Sequence, residues 1–473
     1  MNLDKDCGEL EKFRICFVSG KLGDVDGVSL EVDKWIAVLQ EAGHEIFTIA
    51  GRYAKPVQNV AQANQFTVPE IDFASEEQKA YETQLFPLLS KRPPLLMEEE
   101  LELVRGKLMA HGRDVANQMY EIIKDNEIDV LVGQNTNAMP MTLLGGIAVY
   151  LLTTEKRVAT IFHHHDFWWE RSRFSSNNIE DLLNKIMPPA DLGTEHVVIS
   201  SYAAHILESI KRVKPHVINN CEDFEDPPVF DDYNRDFRKE LGYSDDDILI
   251  VQPTRIVPRK RIEDSVRLVG KFQETYPDLA PRVKFIISLY QGDEMDDSYV
   301  TSIMGLAERL KVKVDLIAER VAAIRGKDEE GRKLYTNRDV LVNGDIVTYL
   351  PIWEGFGNAL LEAISAKVPI LTTTYLVYKT DIMGVGLKTI EVRDDYDKYG
   401  RLMITDEVVE KMHRALVDKE FRKDMVETSF IVANEHFGYD KLRQKLNEVM
   451  ESYSDEIRAS RKRLHKSMKD FYV

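Results

Sequence analysis

Cysteine is scarce in this chain, which has only Cys7, Cys16 and Cys221 among its 473 residues. Their spacing matches neither a metal-ligand motif nor a disulfide framework, so stability is expected to come from hydrophobic cores. Apolar runs are short, and none approaches the length of about 18 residues that suggests a membrane-spanning helix. The N-terminus lacks the charged-then-apolar order of a signal peptide. Together these absences predict a cytoplasmic protein.

Positive charge is also in short supply, because 62 Lys and Arg residues face 80 Asp and Glu residues, for a net charge of −18. This balance argues against nucleic acid as a partner, since phosphate backbones attract basic surfaces. A local exception is the basic run at 458–469, which is expected to be a solvated helix face, with contact to an acidic membrane as the less favoured alternative. The sequence carries no signal for oligomeric state.

What the chain does contain is an alternation of strand and helix patterns in two blocks. An acidic, proline-bearing stretch at 222–236 separates the blocks and is the best linker candidate. The length of 473 residues also favours two domains over one core. Two doubly wound α/β domains are therefore predicted, with ligands bound where strands end. The expected limits are 1–221 for the acceptor-side domain, 222–236 for the linker, 237–445 for the nucleotide-sugar-binding domain and 446–473 for a C-terminal helix that crosses back.

The most informative segment is Pro351–Glu362, which has two carboxylates, Glu354 and Glu362, with seven residues between them. Gly355 and Gly357 let a ligand approach the backbone closely. Asn358 is expected to cap a helix whose first N–H groups face an anion, with Glu362 about two turns into that helix. The pattern is that of a site for a phosphate attached to a sugar. A paired acid and base of a glycoside hydrolase is less favoured, because the two carboxylates are not placed to flank one bond.

A second group of charges follows the first strand of the second block, in Pro253–Ile262. Arg255, Arg259, Lys260 and Arg261 lie within seven positions of a chain that is otherwise acidic. Cations in a loop between a strand and a helix suit a diphosphate, where they neutralise charge that develops on a phosphate leaving group. A solvated charge run is the alternative.

Two loops of the first block contain the remaining candidate site residues. Gly27 opens a helix after the first strand, although the spacing of nearby glycines does not match the dinucleotide fingerprint. The second loop begins with three consecutive histidines, which point alternately and are poorly placed to share a metal ion. An acceptor site is favoured over a packed core loop, because aromatic rings stack on sugars and arginine pairs with anions. Its candidate residues are His164, His165, Asp166, Trp168, Trp169, Arg171 and Arg173.

Taken in order and spacing, these motifs resemble the retaining glycosyltransferases of the GT-B fold, a group that includes sucrose-phosphate synthase and trehalose synthase relatives. The resemblance covers nearly the whole chain and implies two Rossmann-like domains that face each other across a cleft. It departs from the pattern at Asn219–Asp223, where relatives often have Asn-Gly-Val-Asp, and at the Gly27 loop, where they often have two glycines.

The resemblance also implies roles for individual residues. Arg255 and Lys260 would hold the donor diphosphate, Glu362 the ribose and Glu354 the hexose hydroxyls. His165 would contact the hexose near its 6-hydroxyl. The remaining donor contacts would come from Gly27, Gly355, Phe356, Gly357, Asn358, Ala359 and Leu360.

The implied reaction transfers a hexose from a nucleotide sugar with retention of configuration. No metal or other cofactor is expected, since no Asp-x-Asp stands at a donor loop. Mannose from GDP-mannose and a small, possibly anionic acceptor of the glucosylglycerate type are favoured. The alternatives are a UDP- or ADP-glucose-dependent enzyme that makes a sucrose- or trehalose-like disaccharide, a nucleotide-sugar epimerase, a glycogen-phosphorylase-like enzyme and a non-catalytic sugar-binding protein.

Overall fold

The computed structural model describes residues 11–24, 26–87, 96–289 and 297–464. The chain divides into two compact units, Met1–Asn219 with Leu442–Val473 and Asn220–Lys441. The stretch 222–236, predicted to be a linker, belongs to the second unit. Its Asp231 and Asp236 are ion-paired at 2.8 Å with Arg325 and Lys333 of the same unit. Among the described residues, no helix is both long and apolar enough to cross a membrane.

The described part of the first unit is built on a sheet of seven parallel strands. Their order across the sheet is 3-2-1-4-5-6-7, which extends the 3-2-1-4-5-6 order of Rossmann folds by one strand. Central strands such as β4 are buried along their whole length, as expected for parallel strands covered on both faces. The strands are β1 (Arg14–Leu22), β2 (Glu45–Tyr53), β3 (Gln65–Thr67), β4 (Val130–Gln134), β5 (Ala159–His164), β6 (Glu195–Val198) and β7 (His216–Val217).

Helices cover this sheet, and the most deeply buried is the apolar helix after β4, in which nearly every side chain lies in the core. Seven α-helices lie between the described strands of the first unit: α1 (Gly27–Glu41), α2 (Glu76–Leu85), α3 (Glu98–Asp125), α4 (Leu143–Thr154), α5 (Ser172–Ser175), α6 (Glu180–Ile186) and α7 (Ser201–Lys211). The described part of the segment between β2 and α3 contains the edge strand β3 as well as α2.

The second unit repeats the design with six parallel strands in its described main sheet. Their order is β10-β9-β8-β13-β14-β15, which is again the 3-2-1-4-5-6 order of a Rossmann fold. The strands β11 and β12 form a separate antiparallel pair. The bounds are β8 (Ile248–Gln252), β9 (Val283–Ile287), β10 (Val314–Leu316), β11 (Gly326–Lys327), β12 (Lys333–Leu334), β13 (Ile346–Tyr349), β14 (Ile370–Thr373) and β15 (Ile390–Val392).

The helices of this unit end in a predominantly helical C-terminal region, as the periodicity from 406 onward predicts. They are α8 (Phe237–Glu240), α9 (Ile262–Thr275), α10 (Asp297–Arg309), α11 (Asn337–Asn343), α12 (Asn358–Ser365), α13 (Asp406–Val417) and α14 (Lys419–Phe437). The helix α15 (Tyr439–Ser452) begins in the second unit, and α16 (Ser454–Leu464) belongs to the first.

The last helix is tied to the first unit by its charges and hydroxyls. Arg461 pairs with Asp129 at 2.7 Å and with Glu11 at 3.0 Å. The hydroxyl of Ser460 accepts a hydrogen bond from the backbone of Ala159 in β5. Arg458 and Arg461 of this helix therefore meet acidic groups of the same unit. The rest of the basic run, from 465 onward, lies outside the described residues.

Candidate functional site

The second unit brings the predicted donor residues together at the carboxyl ends of β8 and β13. These two strands are neighbours in the sheet, at the point where the strand order reverses. In open α/β sheets, this switch point is where ligands bind. The loop after β8 ends in a 3-10 turn at Pro258–Lys260, and the N–H of Ile352 in the loop after β13 donates to the carbonyl of Arg259 at 3.0 Å. The backbone thus joins the two loops.

Glu354 lies between two cations in this arrangement. Its Oε1 is 2.5 Å from Lys260 Nζ, and its Oε2 accepts a hydrogen bond from Arg259 Nη1 at 2.7 Å. Glu354 and Lys260 are 8% and 9% exposed, so the pair is nearly withdrawn from water. Arg255 is exposed beside them. The cluster contains three predicted residues and adds Arg259, which the sequence placed in the cationic run without a role of its own.

Electrostatics in the cluster favour the ionised carboxylate. Burial opposes the charge of Glu354, but Lys260 and Arg259 outweigh it and hold the pKa of the carboxyl below its ordinary value. For Lys260, burial lowers the pKa of the ammonium more than Glu354 raises it, and Arg259 and Arg255 lower it further. Besides its carboxylate partner, Lys260 therefore has two like charges near it, and an added anion would stabilise the ammonium.

The glycine turn that follows Glu354 leads into α12. Gly357 has φ 137°, a conformation that L-residues with a side chain rarely adopt. The hydroxyl of Tyr375 donates to the carbonyl of Phe356 at 2.5 Å and fills the space beside Gly357. Phe356 and Leu360 are buried at 2% and 0% exposure, so contact with a donor is left to their backbone groups.

The capping role expected of Asn358 is wrong. Gly357 is the N-cap, and Asn358 is the first residue of α12, where its Oδ1 accepts a hydrogen bond from Asn220 Nδ2 at 2.7 Å. The start of a helix leaves its first N–H groups without intrahelical partners, so Asn358 and Ala359 still present backbone donors there. The neighbour Asn220 lies in the stretch where the chain departs from the glycosyltransferase pattern.

Glu362 lies four residues after the start of α12, or just over one turn into the helix rather than two. Its Oε2 accepts a hydrogen bond from Asn337 Nδ2 at 3.1 Å. The amide oxygen of Asn337 accepts in turn from Ser288 Oγ, which follows β9. This chain of hydrogen bonds orients a half-buried carboxylate beside the carboxyl end of β9. Neither Asn337 nor Ser288 carries a sequence signal of its own.

In the first unit, Gly27 begins α1, as predicted, after the loop that follows β1. The carboxylate of Asp26 caps this helix by accepting hydrogen bonds from the N–H groups of Val28 and Ser29, both at 3.1 Å. Lys21 pairs with the same carboxylate at 3.2 Å. An aspartate therefore already occupies two of the N–H groups that a phosphate could use at this helix start.

His165 and Asp166 follow β5 and are held by the residues that end β4. The N–H of His165 donates to Asn135 Oδ1, and Asn135 Nδ2 donates to Asp166 Oδ1, both at 3.0 Å. Arg171 completes the group by donating from Nε to Asp166 Oδ2 at 2.8 Å. Burial lowers the pKa of His165 to about 4, despite the opposing charges of Asp166 and Asp26, so the ring is neutral near pH 7. Asn135 was missed because its only signal is its position after a strand.

The acceptor-binding role expected of His164 and Trp168 does not fit their burial. His164 is 1% exposed, and its Nε2 lies 3.0 Å from Nδ1 of His196. Trp168 is 6% exposed and donates from its indole nitrogen to the carbonyl of Met187. Both side chains belong to the core. His164 lies on one face of β5, and the apolar ring of Trp168 follows the same strand.

The side chains of three other candidates are more accessible to solvent than those of His164 and Trp168: Trp169, Arg171 and Arg173. Trp169 is partly buried and stacks on Phe167 with 4.7 Å between ring centroids. The guanidinium of Arg173 lies 4.7 Å from the centroid of the Phe174 ring. Among the described residues, no cluster of three or more His, Cys, Asp and Glu side chains is arranged as a metal site.

Two curated proteins are similar to the chain over most of its length. A mannosylglucosylglycerate synthase of Thermotoga maritima is 30% identical over 446 residues, which cover 92% of this chain and 99% of that protein. A mannosylglucosylglycerate synthase of Petrotoga mobilis is 28% identical over 392 residues, which cover 80% and 86%. No protein-family model matches the chain.

Solved structures agree on the fold. The glycosyltransferase WaaG of lipopolysaccharide biosynthesis superposes with a TM-score of 0.57 at 12% identity, covering 92% of this chain and 99% of its own. The sucrose-phosphate synthase of Thermosynechococcus elongatus gives a TM-score of 0.61 at 11% identity and covers 94% and 100%. These likenesses confirm the predicted GT-B fold with two Rossmann-like domains. With 30% identity to a curated relative over nearly all of both sequences, the chain belongs to the mannosylglucosylglycerate synthase family of glycosyltransferases.

Proposed function

We propose that the chain transfers mannose from GDP-mannose to a glucosylglycerate-type acceptor with retention of configuration. The names of the two curated relatives support the sugar and the acceptor. The observation that carries the proposal is the position of Glu354 against Lys260 and Arg259 at the switch point of the second sheet. A carboxylate for hexose hydroxyls next to cations for a diphosphate is what a nucleotide-sugar site requires.

In the proposed reaction, the bond between the anomeric carbon and the phosphate oxygen breaks, and a bond forms between that carbon and the acceptor hydroxyl oxygen on the same face. The acceptor proton passes to the departing phosphate oxygen. Arg255 and Lys260 stabilise the negative charge that develops on the diphosphate. Glu362, oriented by Asn337, binds the ribose. Glu354 binds the hexose and needs no covalent role, because the acceptor oxygen itself attacks the anomeric carbon on the face from which the phosphate leaves.

The first unit would supply the acceptor contacts. Asp166 is held by Asn135 and Arg171 and is suited to accept hydrogen bonds from sugar hydroxyls. Arg173 is a partly buried cation near the same loop, and its nitrogen donates to the weak acceptor Sδ of Met141 at 3.4 Å. We propose that Arg173 binds the carboxylate of an anionic acceptor, which would be a far stronger partner than a thioether. Neutral His165 would contact the hexose.

The decisive assay is GDP release from GDP-mannose with glucosylglycerate, with the anomeric configuration of the product read by NMR. UDP-glucose and ADP-glucose test the glucosyltransferase alternative, and GDP-mannose without acceptor tests for an epimer. Binding of the donor without turnover would indicate a non-catalytic protein. We also propose that no metal is required, since cations after β8 can balance the diphosphate. Loss of activity in EDTA that returns with a divalent cation would contradict this.

Lys260→Ala tests the assigned chemistry directly. Removal of one preorganised charge from a leaving-group site is expected to lower kcat by about 100-fold or more. The matched control is Lys411→Ala, because Lys411 is an exposed lysine of the same unit whose one ion pair with a described residue is to Glu407 on its own helix. Circular dichroism would check that both variants fold. A folded Lys260→Ala protein with nearly normal turnover would refute the proposed site.

A further inference from the structure

The carboxylate of Glu354 has one cation on each oxygen, Lys260 on Oε1 and Arg259 on Oε2. Only one of the two cations has a role in the proposed reaction. Neither the spacing of Arg255 and Lys260 nor the pair of glutamates predicts a role for Arg259. Its side chain is 27% exposed, whereas that of Glu354 is 10% exposed, so it reaches from the edge of the site into the buried carboxylate.

The proposed function creates a conflict for Lys260. Its ammonium is held by Glu354 in the structure, yet it must also meet the diphosphate of the donor. If Lys260 turns to the diphosphate, a nearly buried carboxylate loses a cation. A buried charge that loses its partner is strongly unfavourable, and the usual response is to take up a proton.

Arg259 is placed to prevent Glu354 from taking up a proton when Lys260 turns away. The carbonyl of Arg259 accepts a hydrogen bond from Ile352, two residues before Glu354, so the backbones that carry the two side chains are tied together. The contact of Arg259 with Oε2 does not use the oxygen that faces Lys260. Donor binding can therefore remove Lys260 from Oε1 while Arg259 remains on Oε2. The vacated Oε1 becomes available to a hexose hydroxyl.

We infer that Arg259 is the standing counter-ion of Glu354, a positioning residue that allows Lys260 to exchange this carboxylate for the diphosphate of the incoming nucleotide sugar. The inference rests on the proposed function. Arg259 keeps Glu354 ionised, and so able to accept hexose hydroxyl protons in hydrogen bonds, after Lys260 has turned away.

The other groups that face Glu354 do not provide this charge. Tyr349 of β13 and Tyr375 after β14 are neutral phenols near physiological pH, because burial raises their pKa well above the ordinary value and Glu354 raises it further. Lys260 and Arg259 are the cations in direct contact among the described residues, and Arg255 acts on Lys260 rather than on the carboxylate.

The inference predicts a proton-uptake signature. In Arg259→Met, Lys260 still holds Glu354 in the empty enzyme, but the carboxylate must be protonated when the donor arrives. Donor binding should then take up close to one proton per site, and kcat, which reports the donor-bound enzyme, should fall about tenfold for each pH unit below the raised pKa of the carboxyl. Arg259→Lys keeps the charge and should behave more like the natural protein.

Isothermal titration with GDP-mannose, in two buffers of different ionisation enthalpy between pH 6 and pH 8, measures this uptake. The matched control is Arg235→Met, since Arg235 is a surface arginine of the same unit paired with exposed Asp232. The natural protein and the control are expected to bind the donor with little proton uptake. If Arg259→Met binds too weakly for titration, the double variant with Glu354→Gln should recover binding of GDP, which lacks the hexose that Glu354 is proposed to bind, because no buried charge is left to compensate.

The possible results distinguish a failure of the proposed function from a failure of the inference about Arg259. Absence of GDP-mannose binding by the natural protein overturns the proposed donor and the inference with it. Donor binding with equal proton uptake in the natural protein and Arg259→Met overturns the inference alone. So does a double variant that fails to bind GDP although circular dichroism shows that it is folded.

Discussion

Replacement of Gly357 by alanine is the sharpest test of how the donor loop is built. Gly357 joins the loop that carries Glu354 to the first turn of α12, with φ 137° and ψ 58°. A Cβ on this residue would lie 2.3 Å from the hydroxyl oxygen of Tyr375, far inside any real contact distance. Alanine therefore introduces two separate faults, an unfavourable backbone conformation and a steric clash.

The size of each fault can be estimated. Holding a residue with a side chain in such a region of φ and ψ costs on the order of 1–3 kcal/mol. Moving the Tyr375 hydroxyl breaks its 2.5 Å hydrogen bond to the buried carbonyl of Phe356, and leaving such a group unpaired costs about 1–3 kcal/mol. The sum is about 2–6 kcal/mol. For a domain of this size, the melting temperature falls by about 2–4 °C per kcal/mol, so a drop on the order of 10 °C is expected.

Thermal unfolding and GDP-mannose titration would measure the two consequences. Gly357→Ala should melt earlier and bind the donor at least tenfold more weakly, because the displaced backbone is the one proposed to face sugar and phosphate. Gly384→Ala is the control, since a Cβ there meets nothing within 4 Å. In a Tyr375→Phe background, where the clashing oxygen and its hydrogen bond are already absent, Gly357→Ala should cost only the backbone strain. A Gly357→Ala protein that melts and binds like the natural one would refute this account.

Two further predictions concern the first unit. Arg173→Met should raise KM for a glucosylglycerate acceptor about tenfold and leave KM for GDP-mannose nearly unchanged; equal effects on both substrates would contradict an acceptor role. Burial holds the pKa of His163 and His164 well below the ordinary histidine value of 6.5, and that of His165 at about 4. The unfolded chain therefore binds more protons as pH falls below about 6.5, so stability should decrease from there toward pH 4, which melting curves across that range would show.

The segments that sequence reasoning placed well are those whose signal is local. Apolar strands such as Ile248–Gln252 and the amphipathic helix Ile262–Thr275 follow from hydrophobic periodicity, which the sequence displays directly. The edge strands Gln65–Thr67 and Ile390–Val392 were not predicted, because three residues carry too little signal. Such strands form because a neighbouring strand offers hydrogen-bonding groups.

The errors in the predicted roles of site residues also arise where the local sequence does not carry the deciding information. Asparagine is a residue type that often caps helices. The turn at Gly357, however, starts the helix one residue earlier than a cap at Asn358 would require. His164 and Trp168 have the chemistry of a sugar site, yet their side chains turn into the core. Residue type states what a side chain is able to do. Its direction depends on backbone conformation and on the elements packed around it.

By itself, the sequence determined that the chain has two Rossmann-like domains and that cations and carboxylates follow their strands, because periodicity and loop position are properties of short segments. Only the tertiary structure decided which of those charges meet. The adjacency of β8 and β13 brings Lys260 and Arg259 onto Glu354 across more than 90 positions of sequence. That contact depends on strand order and burial, which arise when the whole sheet assembles, and it turns an unassigned arginine of a basic run into the partner of the donor carboxylate.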